Sequence, residues 1–316
     1  MTCHNCLTQC KKAGKRYDGG QRYRCAQCGK TYSDRKDFGW IGHKQAADET
    51  QSLLALKLLA EGNSVRGTQR ITGLDKKTIL GLLMVAGQKC EAVLLSLRNV
   101  PARDVQADEI WGFVGKKEGH KGHGDSRAVG DAWCFIAIER NTKLILAFEV
   151  GKRTVSSATR FIRRLADATD SEQRFQLTTD RLNAYAYPIG NILGDRVDYA
   201  QLIKIYAYRE PEEVRRYSPP ECIEAIPTPV YGNPDEKRIC TSHIERQNGS
   251  VRQWCKRLTR LTYAFSKKLE CHRAALALHF AYYNWCRVHG TLRTTPAMAA
   301  EVADRVWTIG DLLEAA

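Results

Sequence analysis

Two cysteine pairs near the start of the chain leave its first segment few ways to fold. Cys3 and Cys6 form one CxxC and Cys25 and Cys28 another, with eighteen residues between them. Two thiolates on a tight knuckle take two corners of a tetrahedron, and a second knuckle across a short hairpin supplies the other two, which is the layout of a structural zinc site. Free buried thiols are the alternative reading. A segment this small and polar has no core to bury them in, and a bound metal would replace that core. Asp18-Gly19-Gly20, between KRY and QRYR, has the chemistry of a hairpin turn. Residues 1–45 are therefore expected to form a zinc ribbon, its ligand hairpin in about the first 35, with Cys3, Cys6, Cys25 and Cys28 as zinc ligands. Leu7 follows the first knuckle where Gly29 follows the second, so Cys10 or His4 stands as a substitute ligand. The remaining cysteines of the twelve read as small packing residues.

The formal net charge of +14 over 316 residues points to a polyanionic partner, because Lys and Arg that neutralise phosphates release condensed counterions. Residues 1–44 hold ten Lys/Arg against three Asp/Glu, and residues 245–273 hold eight against two. Two separate concentrations of basic charge imply two DNA-contacting surfaces. A membrane partner would require a basic amphipathic helix or a lipidation motif, and neither is found. There is also no unbroken run of about 18 apolar residues and no apolar signal region in MTCHNCLTQC. A soluble, cytoplasmic, nucleoid-associated protein is expected.

From Asp48 the pattern takes helical period. ADETQSLLALKLLAEG reads as an amphipathic helix ending at Gly62. Asn63 or Ser64 caps a short second helix that stops at Gly73, and Asp75 caps a third, DKKTILGLLMVAGQKC. This is the layout of a helix-turn-helix over residues 46–93, with a generic three-helix bundle as the alternative. In the first reading Lys76, Lys77 and Thr78 stand at the entry of the groove-reading helix and contact DNA. Residues 94–103, with Pro101, read as a linker.

Beyond the linker the signals alternate: DVQADEIWGFVG, AWCFIAIER, TKLILAFEVG, RFQLTTD and VDYAQLIKIY are strands, and VSSATRFIRRLADATD is a helix. This order predicts a mixed-sheet α/β domain. Residues 211–234 hold six of the nine prolines and read as an irregular insertion.

Three acids are placed where such a sheet can gather them. Asp108 lies in the middle of the first strand, Asp180 at the end of the fourth, and Glu245 opens the helix SHIERQNGSVRQWCKRL. Successive strand residues point to opposite faces, so Asp108 and Glu109 cannot share one environment, and alternation alone does not choose between them. Asn248 and Arg252 follow Glu245 along its helix stripe and are expected to hold substrate phosphates or orient the glutamate. Oxygen ligands from separate elements suit magnesium or manganese, and two such ions serve in-line phosphoryl substitution.

The stretches DEIWGFVGKK, TTDRLNAY, TSHIERQNGSVRQWCKRLTRLTYAFSKKLE and LHFAYYNWCRVHGTLRTTPAMAA together resemble the insertion-sequence-one family of bacterial DDE transposases. The resemblance covers most of the chain and is most specific from Thr241 to Ala300. It implies a ribonuclease H-like catalytic domain over residues 104–316, ending in C-terminal helices. Asp108, Asp180 and Glu245 match its metal-binding acids, and Glu109 is sent to the opposite face. It further implies a homodimer or higher oligomer that binds double-stranded DNA, both element ends and target, cleaves a strand and joins the 3′-hydroxyl to target. A zinc-ribbon and helix-turn-helix regulator with an inactive catalytic domain, and a ribonuclease H-like junction nuclease, are the competing readings.

Overall fold

The computed structural model describes residues 2, 3, 6, 8–15, 21–33, 48–207 and 221–315. They form two compact units, Met1–Glu49 and Thr50–Ala316. In the first, β1 (Lys11–Lys15), β2 (Gln21–Arg24) and β3 (Thr31–Ser33) make an antiparallel sheet in that order. Cys3, Cys10 and Cys25 are its buried centre, with Cys6, Cys28, Tyr23 and Tyr32 packed against them. Sulfur and two phenol rings thus take the place of a hydrophobic core. Lys15 pairs with Gln21; the Asp18-Gly19-Gly20 turn between them, His4 and Leu7 lie outside the described residues.

α1 (Glu49–Ala60) starts on the last residue of the first unit and runs into the second, where α2 (Val65–Thr72) and α3 (Lys76–Leu95) follow. Ser64, not Asn63, caps α2, its hydroxyl accepting the amide of Gly67 at 3.0 Å. Gly73 ends that helix in the left-handed region at φ 73°, its amide returning to Gln69 O. The Asp75 carboxylate then accepts the amide of Lys77 at 2.7 Å and starts α3. The segment read as a linker is anchored, not free. Leu97, Val100 and Ala102 are buried, and Val100 bridges Thr169.

Next come β4 (Asp104–Val114), β5 (Gly130–Glu139), β6 (Ile145–Gly151), α4 (Val155–Ala168), β7 (Phe175–Thr179), α5 (Ala186–Ile192), β8 (Val197–Tyr206) and β9 (Cys222–Tyr231). The strands form one mixed sheet in the order β6-β5-β4-β7-β8-β9. The β6-β5-β4 meander is antiparallel, β7 and β8 run parallel to β4, and β9 returns antiparallel on β8. The mixed α/β sheet matches the expectation, but part of the proline-rich stretch does not. Residues 222–231 are an edge strand, and Pro227 and Pro229 sit inside it opposite Leu202 and Ala200. Two apart, the prolines turn their donorless nitrogens to the same side of β9. Only an edge strand has a side that requires no donors. Residues 211–220 of that stretch lie outside the described residues.

α6 (Ser242–Trp254) crosses the sheet at β4 and β5, and α7 (Leu269–Ala281) runs into a π-turn at Tyr282–Cys286. α8 (Pro296–Ala299), capped by Thr295, and α9 (Ile309–Glu314), capped by Thr308, complete the chain. By length and composition α3 is apolar enough to cross a membrane, although polar residues interrupt its apolar run. Its apolar stripe, including Ile79, Leu82, Leu83, Ala86, Cys90 and Val93, is buried and α3 packs along α7. The crossing is close: a Cβ on Gly87 would lie 2.4 Å from Ala274 Cβ.

Candidate active site

The register of one parallel strand pair builds the centre of the site. Asp104, Val105, Gln106 and Ala107 of β4 stand opposite Gln176, Leu177, Thr178 and Thr179 of β7. The next pair in that register is Asp108 and Asp180, at the point where β7 leaves the sheet. Asp108, Glu109 and Asp180 bring carboxylate oxygens within 4.8 Å of one another.

Glu109 belongs to this cluster, contrary to its expected position. Strand alternation still holds at its backbone: Glu109 pairs with Phe135, whose ring packs on Phe161 of α4, while Asp108 faces α6. Past Thr179, however, no residue of β7 pairs with that flank of β4, so nothing in the ladder separates the two carboxyl groups. Arg153, just before α4, spans the cluster. Its Nε lies 3.2 Å from Glu109 Oε1 and its Nη2 3.7 Å from Asp180 Oδ2, and its guanidinium stacks 4.8 Å from the Trp133 ring.

Gln106 fixes the helix that faces Asp108. Fully buried two residues before Asp108, and so on the same face of β4, it accepts the amides of His243 and Ile244 at 3.0 and 3.1 Å through Oε1. These are first-turn amides of α6 with no partner inside the helix. Asn248, one turn further on, donates from Nδ2 to Asp108 Oδ2 at 2.7 Å. Two side-chain anchors thus seat α6 on the strand that carries the acid. Neither role was read from sequence, although a glutamine two residues before Asp108 in so apolar a strand was a visible signal.

Burial and mutual repulsion shape the charges. Burial, then Asp180, pushes Asp108 up to about 6. Burial, then Asp180 and Asp108, pushes Glu109 up to about 8 against the opposing pull of Arg153. Asp180 is raised by burial. Tyr185, fully buried, feels all three acids, and its hydroxyl has no hydrogen-bond partner among the described residues. Close, half-desolvated carboxylates of this kind suit a hard divalent cation, which would relieve their repulsion.

Glu245 is placed differently from the aspartates. It sits in the first turn of α6, one turn before Asn248, and its carboxylate is held by Lys204 of β8 and by the Thr241 hydroxyl. It is not among the acids within 4.8 Å of one another. Arg252, half-buried, lies in the fields of Arg260 and Asp108, burial lowering its pKa first. Lys76 and Lys77 are exposed at the start of α3, and Thr78 is half-buried.

In the first unit, the sulfurs of Cys3, Cys6, Cys25 and Cys28 lie within 4.8 Å of one another. Cys3 Sγ and Cys28 Sγ are 3.6 Å apart, against about 3.8 Å for the edge of a tetrahedron with zinc–sulfur bonds of about 2.3 Å. Cys10 is buried beside them but is not one of the four. The amide of Cys28 and the Thr8 hydroxyl bring Cys25 down to about 6, whereas the hydrogen bond with Cys28 and burial push Cys6 up to about 12. The donor set fits a zinc ion, which would require all four as thiolates.

No family model matches the chain, and no curated protein matches it. Among solved structures it is similar to the simian T-cell lymphotropic virus intasome in complex with PP2A regulatory subunit B56 gamma, at 12% identity over 79% of this chain and 75% of that chain, TM-score 0.36. It is also similar to the piggyBac transposase synaptic complex with hairpin DNA, at 10% identity over 89% and 73%, TM-score 0.35, and to the Mos1 strand transfer complex, at 13% identity over 51% and 58%, TM-score 0.21.

Proposed function

We propose that this chain is a DDE DNA transposase of ribonuclease H-like fold, with Asp108, Asp180 and Glu245 as its catalytic acids. The observation that carries the reading is the parallel register of β4 and β7. It sets Asp108 beside Asp180 at the open end of the sheet, under a helix that Gln106 and Asn248 hold in place and that bears Glu245. Magnesium or manganese, as two ions held by these acids, would supply activation of the attacking oxygen and support of the leaving one in in-line phosphoryl transfer.

The chain's own groups prepare the site. Asn248 fixes the rotamer of Asp108. Burial and the neighbouring aspartates favour the protonated form of Glu109 while no cation is bound, which lowers the charge of the cluster. Lys204 balances Glu245 at the rim. Binding of the element's terminal inverted repeats falls to the four-cysteine zinc ribbon and to α1–α3 as a helix-turn-helix. There Lys76, Lys77 and Thr78 enter the major groove from the exposed start of α3. Pairing two ends requires at least a homodimer, acting in the cytoplasm at the nucleoid.

The test is a magnesium-dependent strand-transfer assay on DNA carrying the element's ends, comparing the parent with Asp180→Asn. Joining by the parent and none by the variant supports the reading. Zero activity in both supports a DNA-binding regulator, and cleavage without covalent joining supports a junction nuclease.

A further inference from the structure

On the side of α6 away from Asp108 lies a pocket of about 470 Å³, within the roughly 300–1,000 Å³ typical of ligand sites. His243, Arg246, Gln247, Ser250 and Trp254 present one stripe of α6 to it, whereas Glu245, Asn248 and Arg252 follow the opposite stripe. α7, the segment after its π-turn and Lys143 of the β5–β6 turn form the other walls.

Two features of the lining are unusual. The first is its charge: Lys143, Arg246 and Arg287 line it, and among the described residues no carboxylate does. Arg287 is paired with Glu61 at 2.6 Å, but among the described residues Lys143 and Arg246 form no ion pair; the Lys143 ammonium donates to the Arg140 carbonyl and meets His243 Nδ1 at 3.1 Å. Glu139 lies near Lys143, yet its oxygens are taken by Asn141 and Thr142. Burial and the neighbouring cations lower the pKa of Lys143, His243 and His289. The second feature is a set of polar nitrogens without partners among the described residues. Gln247 Nε2, His279 Nε2 and His289 Nδ1 are buried with no hydrogen bond, and Gln247 and His279 are each only 4% exposed. An unpaired buried donor is costly and rare in a folded protein. All three nitrogens are covered from solvent where they stand, and a neutral imidazole nitrogen donates in only one tautomer; the Gln247 amide is the unambiguous donor, and beside a cationic lining it describes a receptor for an anion.

We propose that this pocket binds a phosphoryl group, with Arg246 and Lys143 supplying charge and the Gln247 amide turning toward the cavity to supply a neutral donor. The size and charge of the pocket serve either the phosphodiester of a DNA strand or the phosphate of a free nucleotide. Occupancy would brace α6 from behind, on the helix whose other side carries Glu245 and Asn248. The site uses none of the catalytic acids, so its failure leaves the transposase reading standing.

The experiment is a titration of the full chain with inorganic phosphate at constant ionic strength, read by tryptophan fluorescence, since Trp254 lines the cavity. Saturable binding is expected, weakened at least tenfold in Arg246→Glu and in Lys143→Gln and unchanged in Asp180→Asn. Arg246 is exposed, and melting midpoints in phosphate-free buffer verify that the variants fold. Absence of saturable binding, or binding that neither variant weakens, overturns the proposal. If short duplex DNA displaces the phosphate, the natural ligand is the DNA backbone. If adenosine monophosphate binds more tightly than inorganic phosphate and duplex DNA does not compete, it is a free nucleotide.

Discussion

Asn248 Nδ2 lies 2.7 Å from Asp108 Oδ2, across 140 residues of chain. Partners that orient ion-binding carboxylates typically cost 10–100-fold in metal affinity or activity when removed. Asn248→Ala is expected to show a loss of about that size in magnesium-dependent cleavage. Asn248→Asp is expected to lose more, because it sets another acid against Asp108. A magnesium dependence unchanged in Asn248→Ala contradicts the assignment.

Gln106 makes a separate prediction about stability. Gln106→Leu keeps the volume but leaves the amides of His243 and Ile244 without their acceptor. The expected cost is about 1–3 kcal/mol, seen as a lower denaturant midpoint with unchanged slope, together with loss of activity as α6 shifts. A midpoint equal to the parent's would show that these amides find other partners.

The acids also fix a direction with pH. Folding raises Glu109 from 4.5 to about 8 and Asp108 from 3.8 to about 6. The folded state therefore binds more protons than the unfolded one in that window. The stabilising contribution is full below the unfolded values and is lost as pH rises through the folded ones. In chelator, the melting midpoint should fall between about pH 4.5 and 8, and magnesium should reduce the fall. Glu109→Gln should flatten the upper part. A variant profile superimposable on the parent's above about pH 6 contradicts the placement of Glu109.

Much of this architecture was legible along the chain. Helix ends were marked by residues whose chemistry is local: the Ser64 cap, the left-handed Gly73 and the Asp75 cap. Short apolar runs set off by turn residues located β4 to β8, and the cysteine spacing identified the four sulfurs that converge. The misses are all tertiary. Pro227 and Pro229 argue against a strand unless it is known to be the outermost one. Glu109 joins the cluster because β7 ends at Thr179, a fact of register between strands some seventy residues apart. Gln106 finds its role in a helix more than a hundred residues later.

Zinc removal should act on the first unit alone. Chelation is expected to abolish the ordered signals of β1, β2 and β3 and to weaken binding to the element's ends while the melting of Thr50–Ala316 is preserved. End binding by the loaded protein should fall with salt at a log–log slope of about 0.9 per phosphate contact. End recognition retained after chelation contradicts the role given to this segment.

The most direct test of the central claim is to count manganese ions bound to the full chain by electron paramagnetic resonance, in the parent and in Asp180→Asn. The account predicts saturable binding of two ions in the parent and its loss in the variant, with folding intact. Equal binding by both proteins, or none by the parent, would contradict a metal centre at Asp108 and Asp180.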